Sequence, residues 1–105
     1  MDFKTYQKKA RLTAQYPNLG SNNIYPTLGL VGETGEVAEK IKKRIRDDTK
    51  VSPDAILSEL GDVLFYTTAL ANYYNFNLAS VIAQNMFKLD GRETRGTIKG
   101  SGDER

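Results

Sequence analysis

An all-α fold is predicted, a four-helix bundle-type subunit followed by an irregular C-terminal tail. Three observations predict it. Apolar residues recur three and four positions apart along most of the chain. The alternation expected of half-buried strands is missing. Clusters of turn-forming residues divide the chain into four periodic segments.

The first helix is read over residues 2–15, with Phe3, Tyr6, Gln7, Ala10, Thr13 and Ala14 on one stripe. Tyr16 to Asn23 breaks it, because Pro17, Asn18, Gly20, Asn22 and Asn23 are turn formers. Pro26 and Thr27 offer a second start, and a long helix runs to about Arg46. Residues 47–50 connect it to Ser52 and Pro53, a capping hydroxyl before a proline at the first helical position. The third helix spans about 53–74. It is apolar on more than one side, which predicts a central, well-buried element. After Asn75-Phe76-Asn77, a fourth helix runs from about Leu78 to Arg92 with Val81, Ile82, Met86 and Leu89 facing inward. Thr94 to Arg105 carries three glycines and little apolar surface, and is expected to order only against a partner or substrate. All 105 residues are read as one domain.

Composition removes several chemistries. The chain has no Cys and no His. Disulfides, thiolate zinc sites, imidazole ligands and Ser-His or Cys-His nucleophiles are excluded. Acid–base work falls to Asp, Glu, Lys, Tyr or bound water. A net charge of +2 is too small to argue for polymeric nucleic acid. No apolar run approaches a membrane span, and the first residues lack the apolar core of a signal peptide, so a soluble cytoplasmic protein is expected.

Two acidic pairs then stand out. Glu33 and Glu36 lie on the second helix, Glu59 and Asp62 on the third. Each pair is spaced i,i+3, which puts both carboxylates on one helix face, and each is set among apolar residues. Four carboxylates from two helices suit a hard divalent cation, Mg²⁺ with retained waters and Mn²⁺ as a substitute. A single pair of this spacing is usually a solvated surface; two pairs beside apolar neighbours favour a metal site. Gly32, Gly35 and Gly61 each cost about 1 kcal/mol inside a helix. They are expected to let the two helices approach closely.

The fourth helix adds Asn85, Lys88 and Arg92 on one stripe, followed by Arg95. An ammonium, a guanidinium fork and an amide suit a phosphate chain. The plainer alternative is a solvated basic face. Tyr6 and Gln7 on the first helix are weaker candidates for contact with a nucleoside, since tyrosines more often pack.

Taken in order, three segments resemble one family. Leu28-Gly29-Leu30-Val31-Gly32-Glu33-Thr34-Gly35-Glu36-Val37-Ala38-Glu39-Lys40 comes first. Glu59-Leu60-Gly61-Asp62-Val63-Leu64-Phe65-Tyr66 and Asn85-Met86-Phe87-Lys88-Leu89-Asp90-Gly91-Arg92 follow. Together they resemble the signature of MazG-like nucleotide pyrophosphohydrolases over roughly residues 5–105. The resemblance implies the all-α NTP pyrophosphatase fold and Mg²⁺-dependent hydrolysis of (deoxy)nucleoside triphosphates to monophosphate and pyrophosphate. It carries the metal ligands onto Glu33, Glu36, Glu59 and Asp62, with Glu33 or Glu36 acting on water, and phosphate binding onto Asn85 and Lys88. Compact members assemble as tetramers or dimers with sites built across subunits. One departure is Gly32, where many members have a further Glu. Two alternatives remain: a phosphoribosyl-ATP pyrophosphatase-like biosynthetic enzyme, and a noncatalytic metal-binding helical module.

Overall fold

The computed structural model describes residues 1–18 and 21–105. Four helices follow in order, α1 (Phe3–Thr13), α2 (Ile24–Asp47), α3 (Pro53–Tyr73) and α4 (Leu78–Arg95), with no strand among the described residues. Leu19 and Gly20, in the break expected between α1 and α2, lie outside the described residues.

Local chemistry sets the ends of each helix. Asp2 caps α1 through its carboxylate, which accepts from the Thr5 amide at 2.7 Å. The second helix begins two residues before Pro26, with the Asn22 side chain accepting from the Ile24 amide at 2.8 Å. Pro26 is tolerated because first-turn amides have no intrahelical acceptor in any case. Pro53 does open α3, but the expected hydroxyl cap is absent. The Ser52 carbonyl, not its side chain, accepts from Ala55 at 3.0 Å. Two helices end in the same device. Asn75 (φ 59°) after α3 and Gly96 (φ 72°) after α4 are left-handed. Phe76 then donates to the Ala71 carbonyl at 2.8 Å, and Thr97 to that of Arg92 at 2.7 Å. Thus α4 runs one turn beyond Arg92.

Helices α2 and α3 form the main packed pair. Gly29 meets Tyr66, Glu33 faces Asp62, and Lys40 reaches Glu59. Position rises in α2 as it falls in α3, so the helices are antiparallel. The close approach does not use the expected glycines, since Gly32, Gly35 and Gly61 face open space. It is made at Gly29, where a Cβ would overlap the Tyr66 ring.

Gln7 joins the other elements. Its Nε2 donates to Asn72 Oδ1 at 2.8 Å and to the Phe76 carbonyl at 2.7 Å, while its Oε1 accepts from the Leu78 amide at 2.8 Å. One side chain of α1 thereby ties the end of α3 to the start of α4. Apart from Pro26 on α2, the buried residues cluster around this junction: Ala10, Ala14, Ala69, Ala71, Thr68 and Leu78.

Away from the junction the subunit is open. Its radius of gyration is 16.6 Å, against about 13 Å for a compact domain of this length. Helix α3 packs against each of the other three, but it leaves Leu57, Leu60 and Leu64 exposed, so it is central without being well buried throughout. The inward orientation expected for Val81, Ile82, Met86 and Leu89 is also corrected. All four are exposed, because α4 packs only against α1 and α3 and never meets α2.

The glycine assignment is testable by substitution. Gly29→Ala must displace the Tyr66 ring and should lose about 1–3 kcal/mol of stability. Gly32→Ala meets no atom and should gain about 0.5–1 kcal/mol from helix propensity. Urea denaturation of the two variants distinguishes them; equal midpoints would refute the close approach at Gly29.

Candidate metal centre and anion site

The α2–α3 pairing brings carboxylates from both helices to one place. Ligand oxygens of Glu33, Glu59 and Asp62 all lie within 4.8 Å of one another. Glu33 and Glu59 are half-buried and Asp62 is exposed. The fourth expected ligand, Glu36, lies outside this trio on an exposed part of α2, near enough for its charge to act on Glu33. The donors are all hard oxygens, the set that Mg²⁺ and Mn²⁺ accept. Glu33, Glu59 and Asp62 would hold such an ion between α2 and α3. The residues present therefore fit a divalent cation.

Proximity has an electrostatic cost, and it falls on Glu33. Desolvation, followed by the charge of Asp62 and contact with Glu59, raises the pKa of its carboxyl. Lys40 supplies the compensation within the chain, its ammonium 3.0 Å from Glu59 Oε1. Lys40 opens a run of basic residues, and charge alone does not separate it from Lys42, Lys43 and Arg44. Its position four residues after Glu36 and seven after Glu33, on the same helix face, was the available signal.

Two phenols flank the trio. Tyr66, packed against Gly29, is held protonated to higher pH by burial and by neighbouring Tyr25 and Glu33. Burial likewise raises Tyr6, whose hydroxyl faces Thr68 and senses Asp62. Tyr6 thus borders the acidic cluster. Gln7 does not support its nucleoside assignment, because both ends of its amide are engaged in the junction.

The basic stripe forms a second locus. Lys88 Nζ is 2.7 Å from Asp103 Oδ1, and an Arg92 terminal nitrogen donates to the same oxygen at 3.3 Å and to the Asp103 carbonyl at 2.9 Å. Arg95 Nε donates to the main-chain oxygen of Arg105 at 3.1 Å. Asn85 is exposed. Together with Phe87, these cations border a cleft of about 660 Å³, within the range of small-molecule sites. The segment after α4, expected to order only against a partner or substrate, is ordered against its own helix. Arg105 donates to the carbonyls of Thr97, Ile98 and Gly102.

The two loci are not joined within one chain. Among the described residues no hydrogen bond or ion pair links Asn85, Lys88, Arg92 or Arg95 to the α2–α3 carboxylates, and α2 does not touch α4. No described helix is long and apolar enough to cross a membrane.

Comparison with known proteins places this arrangement. The family described as MazG nucleotide pyrophosphohydrolase domain matches residues 25–96, which takes in both acidic pairs and the α4 stripe. The "Gene 37 protein" of Mycobacterium phage L5 is 43% identical over 114 aligned positions that cover 100% of both chains. No solved structure matches.

The raised pKa of Glu33 has a definite sign. The folded chain binds that proton more tightly than the unfolded chain. Lowering the pH from neutral towards the carboxylate range should therefore stabilise the metal-free fold. At lower pH the trend reverses, as Asp2, Glu39, Asp47 and Asp103, whose pKa values are lowered by their hydrogen bonds, take up protons. Circular-dichroism melts in EDTA should show the initial rise in wild type and lose it in Glu33→Gln. At neutral pH the variant should melt about 2–4 °C higher. A wild-type melting point that only falls on acidification would refute the repulsion.

Proposed function

The chain belongs to the MazG nucleotide pyrophosphohydrolase family, and on that footing we propose that it hydrolyses (deoxy)nucleoside triphosphates to the monophosphate and pyrophosphate in a Mg²⁺-dependent reaction that controls a cytoplasmic nucleotide pool. The observation that carries this reading is the Glu33–Glu59–Asp62 trio, drawn from both helices of the packed pair. Glu36, one turn along α2, completes the set of four. A divalent cation supplies Lewis acidity towards phosphate oxygens and acidifies a water molecule. The protein residues do the rest. Water adds to the α-phosphorus, the bond to the bridging oxygen of the β-phosphate breaks, and pyrophosphate leaves. The water proton passes to a carboxylate of the α2 pair, Glu33 or Glu36. Lys88 and Arg92, with Asn85 and Arg95 beside them, hold the phosphate oxygens and stabilise charge developing on the leaving group.

This reading predicts that EDTA-treated protein releases no pyrophosphate and that Mg²⁺ or Mn²⁺ restores turnover. Asp62→Asn, which keeps shape and removes a ligand charge, should lower kcat/KM at saturating Mg²⁺ by about a hundredfold or more. Undiminished turnover in metal-free protein would remove the mechanism, and no pyrophosphate release with either cation present would leave the noncatalytic module as the better account. A panel of ribo- and deoxyribonucleotides identifies the substrate.

The separation of the two loci supports a site completed between subunits. Leu28 and Val31 on α2, Leu57, Leu60 and Leu64 on α3, and Val81, Met86 and Phe87 on α4 are all exposed. So much apolar surface suits burial against further copies of the chain. We assign a homo-oligomer, a tetramer in preference to a dimer, in which α4 of one subunit serves the carboxylates of another. Glu59→Gln and Lys88→Ala subunits, each of low activity alone, should then complement when co-expressed. Random pairing leaves about a quarter of the sites intact. Light scattering measures the assembly; a monomer, or no recovery on mixing, would refute a shared site.

A further inference from the structure

The segment from Thr97 to Arg105 is a built loop. Arg105 binds it from within, its Nε donating to the Thr97 carbonyl at 2.9 Å and its terminal nitrogens to Gly102 at 2.8 Å and Ile98 at 3.0 Å. The Thr97 hydroxyl returns a bond to the Arg105 oxygen at 2.9 Å. Gly100 (φ 127°) and Gly102 (φ 92°) occupy backbone regions that glycine adopts most readily, so the tight path is written in the sequence. None of these loop bonds uses the Asp103 side chain. The loop instead presents that carboxylate outward, onto the two cations of α4.

The geometry there is that of an occupied anion subsite. One carboxylate oxygen accepts from both Lys88 and Arg92. The Arg92 side chain is only 13% exposed and Lys88 36%, whereas Asp103 is 72% exposed. The donors are thus held in place while the acceptor is open to water on its outer side. An exposed carboxylate with one charge is a weak occupant. A polyphosphate oxygen can accept from the same donors, carries more charge and brings several further acceptors.

We propose that Asp103 is the resident occupant of the phosphate subsite: it covers Lys88 and Arg92 in the free protein and must be displaced by the nucleotide's phosphate, so the 97–105 loop sets substrate affinity. This rests on the reading that the α4 stripe binds phosphate. Entry of phosphate breaks the two Asp103 ion pairs, together with the Arg92 bond to the Asp103 carbonyl, and leaves the Arg105 bonds intact, so the loop moves at its tip without unfolding.

The test is Asp103→Asn, with inorganic tripolyphosphate as the probe, titrated calorimetrically in metal-free buffer, and steady-state kinetics alongside. Release of Lys88 and Arg92 from the Asp103 carboxylate should tighten tripolyphosphate binding about three- to tenfold. KM should fall by a similar factor without a rise in kcat. Asp103→Ala should behave alike, and the gain should shrink in the Lys88→Ala background, where one of the two covered donors is gone. Weaker binding in Asp103→Asn would overturn the proposal and make Asp103 a residue that positions the cations. Unchanged binding would overturn it too. Lys88→Ala alone separates the two levels of the argument. If it weakens tripolyphosphate binding while Asp103→Asn has no effect, only the displacement fails. If Lys88→Ala changes neither binding nor KM, the phosphate reading fails and this inference with it.

Discussion

The approach of α2 to α3 at Gly29 is the contact on which the candidate metal centre depends. The Tyr66 ring occupies the space a side chain would fill there. This sets the register of two antiparallel helices, and from that register Glu33 falls opposite Asp62 and Glu59. Three carboxylates within 4.8 Å of one another repel. A fold that assembles them must hold the helices together by other means. The packing of Tyr66 against Gly29 and the Lys40–Glu59 ion pair do this.

Much of this was legible in the sequence, and what was not has physical reasons. Four helices could be read because their apolar periodicity is local and their breaks contain Pro, Asn and Gly. The acidic pairs could be read because i,i+3 spacing fixes side-chain direction within one helix. Which glycine makes the close approach could not. Gly29, Gly32 and Gly35 sit in the same helical pattern, and only the register with Tyr66 selects Gly29. The place of Gln7 in the junction could not be read for a related reason. An amide on an apolar stripe suits a ligand or a buried knot equally, and the knot requires Asn72, Phe76 and Leu78, some seventy residues away. The inward face assigned to α4 assumed that an apolar stripe is buried by its own chain. Periodicity identifies a face that avoids water and does not say whose surface covers it.

Each half of the proposed site carries its own counter-charge. Lys40 lies against Glu59 in the acidic half, and Asp103 lies against Lys88 and Arg92 in the basic half. The two compensations differ in kind. Lys40 projects from the helix that carries Glu33 and Glu36, so its distance from the cluster is set by a rigid element. Asp103 is carried on a loop with two positive-φ glycines. A helix-borne partner stays near its site whatever binds, and tunes charge there. A loop-borne partner can leave. That contrast is why Asp103, and not Lys40, is the residue expected to exchange with a ligand.

The open shape of the subunit follows from the same distribution of parts. Cations and carboxylates that are to share one polyphosphate cannot rest side by side in the free chain without pairing to each other and closing the site. Here α4 is kept off α2, and each set is partly compensated by a neighbour of its own. The cost is exposed apolar surface on α2, α3 and α4. Covering those faces with further copies of the chain would recover hydrophobic stabilisation at about 25 cal/mol per Å². It would also set the cations of one subunit opposite the carboxylates of another. On this account, assembly and formation of the site are driven by the same surfaces, and a substitution that weakens the apolar contact should cost activity even where every charged residue is intact.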